Sequence, residues 1–211
     1  MKLRNKIFEG KRCIITGATG GLGKQIAKEF AQAGCNLFLT SRSNEKLELL
    51  KNELKTENQG IEIFYSSSDL TKIESVTNLI ENIREKFSSI DILINCAGNF
   101  PVKSLSESTI EEYDSCMNLN VRAPFVLSKE FSKDMIKNEW GRIVNIGSSS
   151  AYNGFKNSIA YCSSKHALLG FSRALFSELK DKSFHYVLNL GGYVNHANYS
   201  EGGSEVFKAH F

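Results

Sequence analysis

Two side chains four residues apart could move a proton. The stretch "AYCSSKHALLGF" sets Tyr161 and Lys165 at i and i+4, which on a helix share one face. An ammonium beside a phenol favours the phenolate and lowers the tyrosine pKa from its ordinary value of about 10. A tyrosine tuned in this way can exchange a proton with a carbonyl or carbinol oxygen. Alone, the pair fits an ordinary amphipathic helix equally well, so its surroundings decide what it means.

A second constellation lies near the start. The apolar run "RCIIT" leads straight into "TGATGGLGKQIAKEF". Strand, glycine turn, then amphipathic helix is the layout that binds a dinucleotide pyrophosphate. Glycines let the backbone approach the phosphates, and the helix N-terminus supplies free N–H groups and a positive dipole end. The spacing is T-G-x-x-x-G-x-G, at Thr16, Gly17, Gly21 and Gly23; Thr19 and Leu22 stand where G-x-G-x-x-G would need glycines. A plain tight turn is the alternative. The next strand ends at Ser41-Arg42, where an acidic residue would bind a ribose 2′-OH. A hydroxyl followed by a guanidinium suits a 2′-phosphate instead, which favours NADP(H) over NAD(H). A solvated arginine opening the next helix is the other reading.

These residues need a scaffold. Strand-like runs occupy 12–16, 36–41, 61–66, 91–95, 142–147 and 184–190, and helical patterns lie near 22–33, 44–57, 71–87, 107–137 and 158–181. Between 73 and 87, Ile73, Val76, Leu79, Ile80, Ile83 and Phe87 recur on one helical face. Strands alternating with helices of this length imply βαβ units and a parallel sheet. Right-handed crossovers then give an α/β, doubly wound, Rossmann-like sheet with helices on both faces. "DILIN" is apolar on both faces, as a central parallel strand should be.

The bulk properties exclude several classes. The 211 residues suit a single domain, 1–211, with one core. A net charge of +3, from 26 basic and 23 acidic residues, argues against nucleic acid or a membrane surface as the main partner. No apolar run is long enough for a signal peptide or a membrane span. Cys13, Cys35, Cys96, Cys116 and Cys162 are scattered and lack metal-ligand spacing. They read as reduced structural thiols, which points to the cytoplasm. His185, His196 and His210 show no ligand spacing either, so no metal site is expected. His166 is off the Tyr161 face and reads as structural. Trp140 reads as packing a loop ahead of the fifth strand.

Taken together, the motifs resemble those of short-chain dehydrogenases/reductases, in the compact single-domain branch. The matching pieces are "TGATGGLG", "SSDL" with Asp69, "NCAG" at 95–98, Asn120 in "MNLNVRAPF", "GRIVNIGSS" with Ser148, and "YCSSK". They occur in family order from about residue 8 to about 190, with Ser148 thirteen residues before Tyr161. Ser149 and Ser150 adjoin Ser148, and the family spacing selects Ser148. The resemblance implies an oxidoreductase that moves hydride between a nicotinamide and a small carbonyl or alcohol substrate. It assigns catalysis to Asn120, Ser148, Tyr161 and Lys165. Tyr161 would be the general acid of reduction and the base of oxidation. Lys165 would lower its pKa and hold the nicotinamide ribose, Ser148 would steady the substrate oxygen, and Asn120 would hold a relay water. The cofactor would lie on Gly17, Thr19, Gly21, Leu22, Gly23, Ser41, Arg42, Asp69, Leu70, Asn95, Ala97 and Gly98, as well as on Tyr161 and Lys165. The segment "NFPVKSLSEST" after "NCAG" either borders the substrate pocket or is a surface connection.

The pattern changes near the end. The family follows the sixth strand with Pro-Gly and then a threonine; here Gly191-Gly192 and His196 stand at those positions. The remaining 197–211 stretch is short and polar, so the usual last strand is expected to be missing and 191–211 reads as a truncated tail. A sixth strand left at an edge would expose unpaired backbone groups. The alternative function is therefore a nucleotide-binding relative with weak or no turnover. A homo-oligomer through the helices at 107–137 and 158–181 is a family expectation, and the tail favours a dimer over a tetramer.

Overall fold

A computed structural model describes residues 6–180 and 186–190. The stretch 191–211, on which the missing last strand and the truncated tail were expected, lies outside the described residues. Six strands, β1 (Arg12–Thr16), β2 (Asn36–Ser41), β3 (Ile63–Ser67), β4 (Ile92–Asn95), β5 (Arg142–Ile146) and β6 (Tyr186–Leu190), form one sheet in the order β3-β2-β1-β4-β5-β6. Every neighbouring pair is parallel. Among the described residues six α-helices cover it: α1 (Gly21–Gln32), α2 (Asn44–Glu57), α3 (Ile73–Lys86), α4 (Ile110–Met117), α5 (Ala123–Lys137) and α6 (Ile159–Leu179).

Strand side chains alternate between the two faces, and the core divides accordingly. Cys13, Ile15, Leu37, Leu39, Ile92 and Ile94 point to the side of α1 and α2, meeting Ile26, Phe30, Leu47 and Leu54. Ile14, Phe38, Leu93 and Ile143 point to the other side, meeting Val76, Leu79 and Ile83 of α3 and Leu127, Phe131 and Met135 of α5. A strand buried on both faces needs an apolar residue at every position, which is why "ILIN" reads as it does. The doubly wound Rossmann-like fold expected from the sequence is the fold observed. Trp140 packs on the α1 and α2 side of the core, ahead of β5, with Lys11 Nζ 3.8 Å from its ring centroid and the Arg142 guanidinium 4.7 Å away.

Most boundaries lie within two residues of expectation, and two departures have local causes. α4 begins at Ile110 rather than 107, because Thr109 closes a reciprocal capping box with Glu112. The expected continuous helix 107–137 is broken by a π-helical turn at Asn118–Arg122. Pro124 has no N–H, so the α-helical bond to the Asn120 carbonyl cannot form. The chain widens instead, and the Ala123 N–H reaches back to the Asn118 carbonyl. Arg122, within the turn, donates to the Thr71 carbonyl at 2.6 Å.

Candidate active site

Strand order reverses between β1 and β4, so their carboxyl ends diverge and open a crevice. Its floor is built by Thr16. The Thr16 hydroxyl accepts from the Cys96 and Ala97 N–H groups, both at 3.0 Å, and so draws the end of β4 against the glycine turn. Gly17 has φ of 65°, and a Cβ there would lie 2.8 Å from the Ala97 Cα. At Gly23 a Cβ would lie 2.2 Å from the Gly17 carbonyl oxygen. Packing alone therefore demands glycine at both positions. Thr19 is half-buried in the turn, and Leu22 packs onto the core.

Gly21 is different. A Cβ there meets nothing within 4 Å, and its φ lies outside the left-handed region. No protein contact accounts for a glycine at this exposed first residue of α1. The same helix end has no side-chain cap and no acidic residue in its first turn, whereas α2 is capped by Ser43 and α4 by Thr109. Uncapped N–H groups beside an open glycine fit a phosphate group. Farther along, the Ser41 hydroxyl oxygen at the end of β2 is buried without a partner, and Arg42 beside it is exposed. Asp69 accepts from the Thr71 hydroxyl at 2.8 Å and from its N–H at 3.1 Å. The Thr71 hydroxyl holds the Asp69 carboxyl below the usual range against the opposing effect of burial, with help from the Thr71 N–H and the charges of Lys72 and Arg42. Leu70 is buried in the core, which leaves its backbone as the part able to meet a ligand. These features fit an adenine dinucleotide along the carboxyl ends of β1, β2 and β4.

The groups able to move a proton converge from β5, α6 and the π turn. Ser148, extended at the end of β5, accepts from the Ser150 N–H at 3.1 Å and opens a short 3-10 turn, Ser149–Ala151. Burial raises the Tyr161 pKa above its ordinary value, and the Ser148 hydrogen bond opposes that rise. Lys165 is buried, and desolvation lowers its pKa to about 8. Its ammonium donates to the Ile146 carbonyl at 2.7 Å and lies 5.6 Å from the Tyr161 ring centroid. Burial, rather than the expected pull of Lys165, is thus the largest influence on the free phenol. The cation is turned toward β5.

Asn120 is 1% exposed, and its carboxamide is engaged at both ends. Oδ1 accepts from the Asn99 N–H at 3.1 Å; Nδ2 donates to the Asn99 carbonyl at 3.1 Å and to the Ser164 hydroxyl at 2.9 Å. Ser164 in turn donates to the Tyr161 carbonyl at 2.8 Å. Oδ1 also lies 3.2 Å from where a Cβ on Gly98 would stand. With its side chain occupied, a water held by Asn120 would have to meet its backbone. Asn95 donates to Asn145 at 2.8 Å, and Asn145 to Ser172 at 2.9 Å, which ties β4, β5 and α6 together under the site. The Asn95 Oδ1 stays buried without a partner. His166 faces away, with Nδ1 2.9 Å from the Cys162 carbonyl of its own helix.

Nothing in the sequence assigns a role to the Thr16 hydroxyl or to Ser164, and Asn99 and Phe100 enter it only within the segment "NFPVKSLSEST", which reads either as pocket border or as surface connection. Ser164 adjoins Lys165, and its position was available as a signal. Phe100 was not, because its contact with Tyr161, ring centroids 4.5 Å apart, joins the loop after β4 to α6, far apart in the chain. A recess between α2, β3 and α3, lined by Lys51, Phe64, Tyr65, Ser66, Asn82 and Glu85, holds none of these groups.

The family model described as short chain dehydrogenase matches residues 11–199. The chain belongs to the short-chain dehydrogenase family. Members of this family are NAD(P)-dependent oxidoreductases acting on CH–OH or C=O groups, and the chain is an enzyme of that class. It is 30% identical over 176 residues to the 3-oxoacyl-(acyl-carrier-protein) reductase of Aquifex aeolicus, covering 83% of this chain and 71% of that protein. Among solved structures, a metagenomic short-chain oxidoreductase in complex with NADP superposes with a TM-score of 0.87 at 25% identity, over 97% of this chain and 90% of that one. An NAD+-bound xylitol dehydrogenase superposes with a TM-score of 0.79 at 27% identity, over 87% and 71%. No described helix is long and apolar enough to cross a membrane. Among the described residues, no three His, Cys, Asp or Glu side chains gather as a metal site would require.

Proposed function

We propose that this short-chain dehydrogenase reduces a small-molecule carbonyl with NADPH, Tyr161 delivering the proton. The observation that carries the reading is the convergence of Ser148, Tyr161 and Lys165 beside a glycine turn whose Gly21 and uncapped helix end no protein contact explains. A reduced nicotinamide supplies the hydride when bound. The chain's own residues do the rest. The Ser148 hydroxyl hydrogen-bonds the substrate oxygen, which orients it and stabilises its developing charge. Tyr161 gives its phenolic proton to that oxygen. Lys165, a buried cation close to Tyr161, steadies the phenolate left behind. In the oxidative direction the same phenolate takes the proton back.

The preference for NADP(H) rests on Ser41 and Arg42 at the end of β2, where a 2′-phosphate would meet a buried hydroxyl and a guanidinium. The relatives bear on both cofactors, since one similar structure holds NADP and another NAD+. Asn120 acts by position, clamping Asn99 and Ser164 about the site.

The test is NADPH and NADH oxidation over a panel of ketones, aldehydes and 3-oxoacyl thioesters, with Tyr161→Phe alongside. The expected result is turnover with NADPH, and a fall of about 10²- to 10⁴-fold in kcat for the variant with unchanged NADPH affinity. Full activity in the variant would remove Tyr161 from the role. Tight NADPH binding without turnover on any carbonyl would instead favour the nucleotide-binding alternative.

A further inference from the structure

We propose that Phe100 selects the substrate, and that the substrate is a carbonyl compound with an apolar aryl or alkyl group rather than a polyhydroxylated one. The inference rests on the assignment of Tyr161 as the proton donor. A carbonyl that takes the Tyr161 proton must place its oxygen at the phenol and its substituents against the neighbouring surface. That surface is Phe100. Its ring is tilted 59° to the Tyr161 ring, with centroids 4.5 Å apart, and 54% of the residue is exposed. A large apolar side chain left half in water beside a reacting group lacks a partner on one side, and an apolar substituent would supply it.

Phe100 is held there. Asn120 fixes the Asn99 backbone on one side, and on the other the Lys103 N–H donates to the Asn157 carbonyl at 2.8 Å, joining this loop to the one that precedes α6. Exposed apolar side chains flank it on both loops, Val102 and Leu105 on the first and Tyr152 and Phe155 on the second, among exposed polar neighbours that include Lys103, Glu107, Asn153 and Lys156. The Lys103 ammonium is paired with Glu112, so this cation of the rim is neutralised rather than offered to an anionic substrate. A polyol would strip water from the hydroxyls it set against the Phe100 ring and find no hydrogen-bond partner on that ring.

The test compares kcat/KM for a phenyl alkyl ketone with that for a polyhydroxy ketone of similar size, in the wild type, Phe100→Ala and Phe100→Leu. The wild type should prefer the phenyl ketone. Phe100→Ala should cut that preference at least about tenfold, the scale on which apolar pocket contacts discriminate, and Phe100→Leu should retain most of it. An equal loss on both substrates, or a wild-type preference for the polyhydroxy ketone, overturns the inference. Calorimetric titration of the phenyl ketone into protein with NADPH separates this failure from failure of the proposed reaction. If no carbonyl turns over, weaker ketone binding in Phe100→Ala still supports a Phe100 site, and unchanged or absent binding overturns it.

Discussion

Asn120 and Asn99 exchange a reciprocal pair of hydrogen bonds, the carboxamide oxygen accepting from the Asn99 N–H and the carboxamide nitrogen donating to the Asn99 carbonyl, both at 3.1 Å. The pair fastens the loop after β4 to the π turn, and through Ser164 the same side chain reaches α6. One buried amide thus sets the spacing of the π turn, the loop that carries Phe100 and the helix that carries Tyr161 and Lys165.

Asn120→Ala should therefore damage the fold and the site together. It leaves backbone groups of Asn99 and the Ser164 hydroxyl without their partner, at a cost of about 1–3 kcal/mol for each group left truly unsatisfied. Urea unfolding should show a loss of roughly 2–4 kcal/mol on that scale, and kcat should fall while NADPH affinity changes less. A variant as stable as the wild type would mean that the clamp is dispensable.

Gly21 and Gly23 should separate cofactor binding from folding. Gly21→Ala places a methyl in open space, at the start of α1. Stability should hold to within about 1 kcal/mol, since such a replacement mainly restricts the unfolded chain. NADPH affinity, read by titration, should fall at least tenfold. Gly23→Ala would drive a methyl to 2.2 Å from the Gly17 oxygen, so its first effect should be on the melting temperature. If Gly21→Ala binds NADPH normally, the phosphates do not lie on that turn.

How much of this was legible in the sequence follows from how local each feature is. The strand, glycine turn and helix at 12–32 were readable because one short segment holds the whole device. The two-faced apolar pattern of β4 announced its central place in the sheet. The break in 107–137 was harder. The apolar rhythm of α4 runs on into α5, and the cause is a missing N–H on Pro124 that acts on a carbonyl one turn back. Contacts between elements distant in the chain left no trace of any kind. Phe100 on Tyr161, and Asn95 on Asn145, depend on how β4 and β5 lie side by side rather than on any spacing along the chain. The lysine–tyrosine pair was found at the right spacing, yet its electrostatics could not be read from it. The Ile146 carbonyl that takes the ammonium lies nineteen residues away, on β5.

The depressed pKa of Lys165 gives a pH signature with a definite sign. Below about 8 the folded and unfolded chains both carry this charge, and the folded chain bears the full cost of burying it. Between about 8 and the ordinary 10.5 the unfolded chain holds more protons at this site, so its contribution to stability rises with pH. The buried thiols of Cys13, Cys96 and Cys116 act oppositely. Burial raises each, Cys96 to about 12, so their contribution falls as pH climbs past 9. The difference between wild type and Lys165→Met isolates the lysine. Urea midpoints taken from pH 7 to 9 should rise relative to the variant as pH passes 8. Parallel profiles would show that the ammonium is not desolvated.

Arg42 decides between two readings of the end of β2. If it meets a 2′-phosphate, Arg42→Ala should weaken NADPH binding about 10- to 100-fold, the worth of one strong charge-assisted hydrogen bond. NADH binding should be nearly unaffected, since its ribose carries no phosphate there. Ser41→Ala should act in the same direction but less, because its hydroxyl is neutral, and it should not destabilise the fold, because the oxygen it removes is buried without a partner. If Arg42 only opens α2 in water, both cofactors should bind each variant as they bind the wild type. Titrating NADPH and NADH into the three proteins at two salt concentrations completes the test, because a phosphate contact at an exposed arginine should also weaken as salt rises.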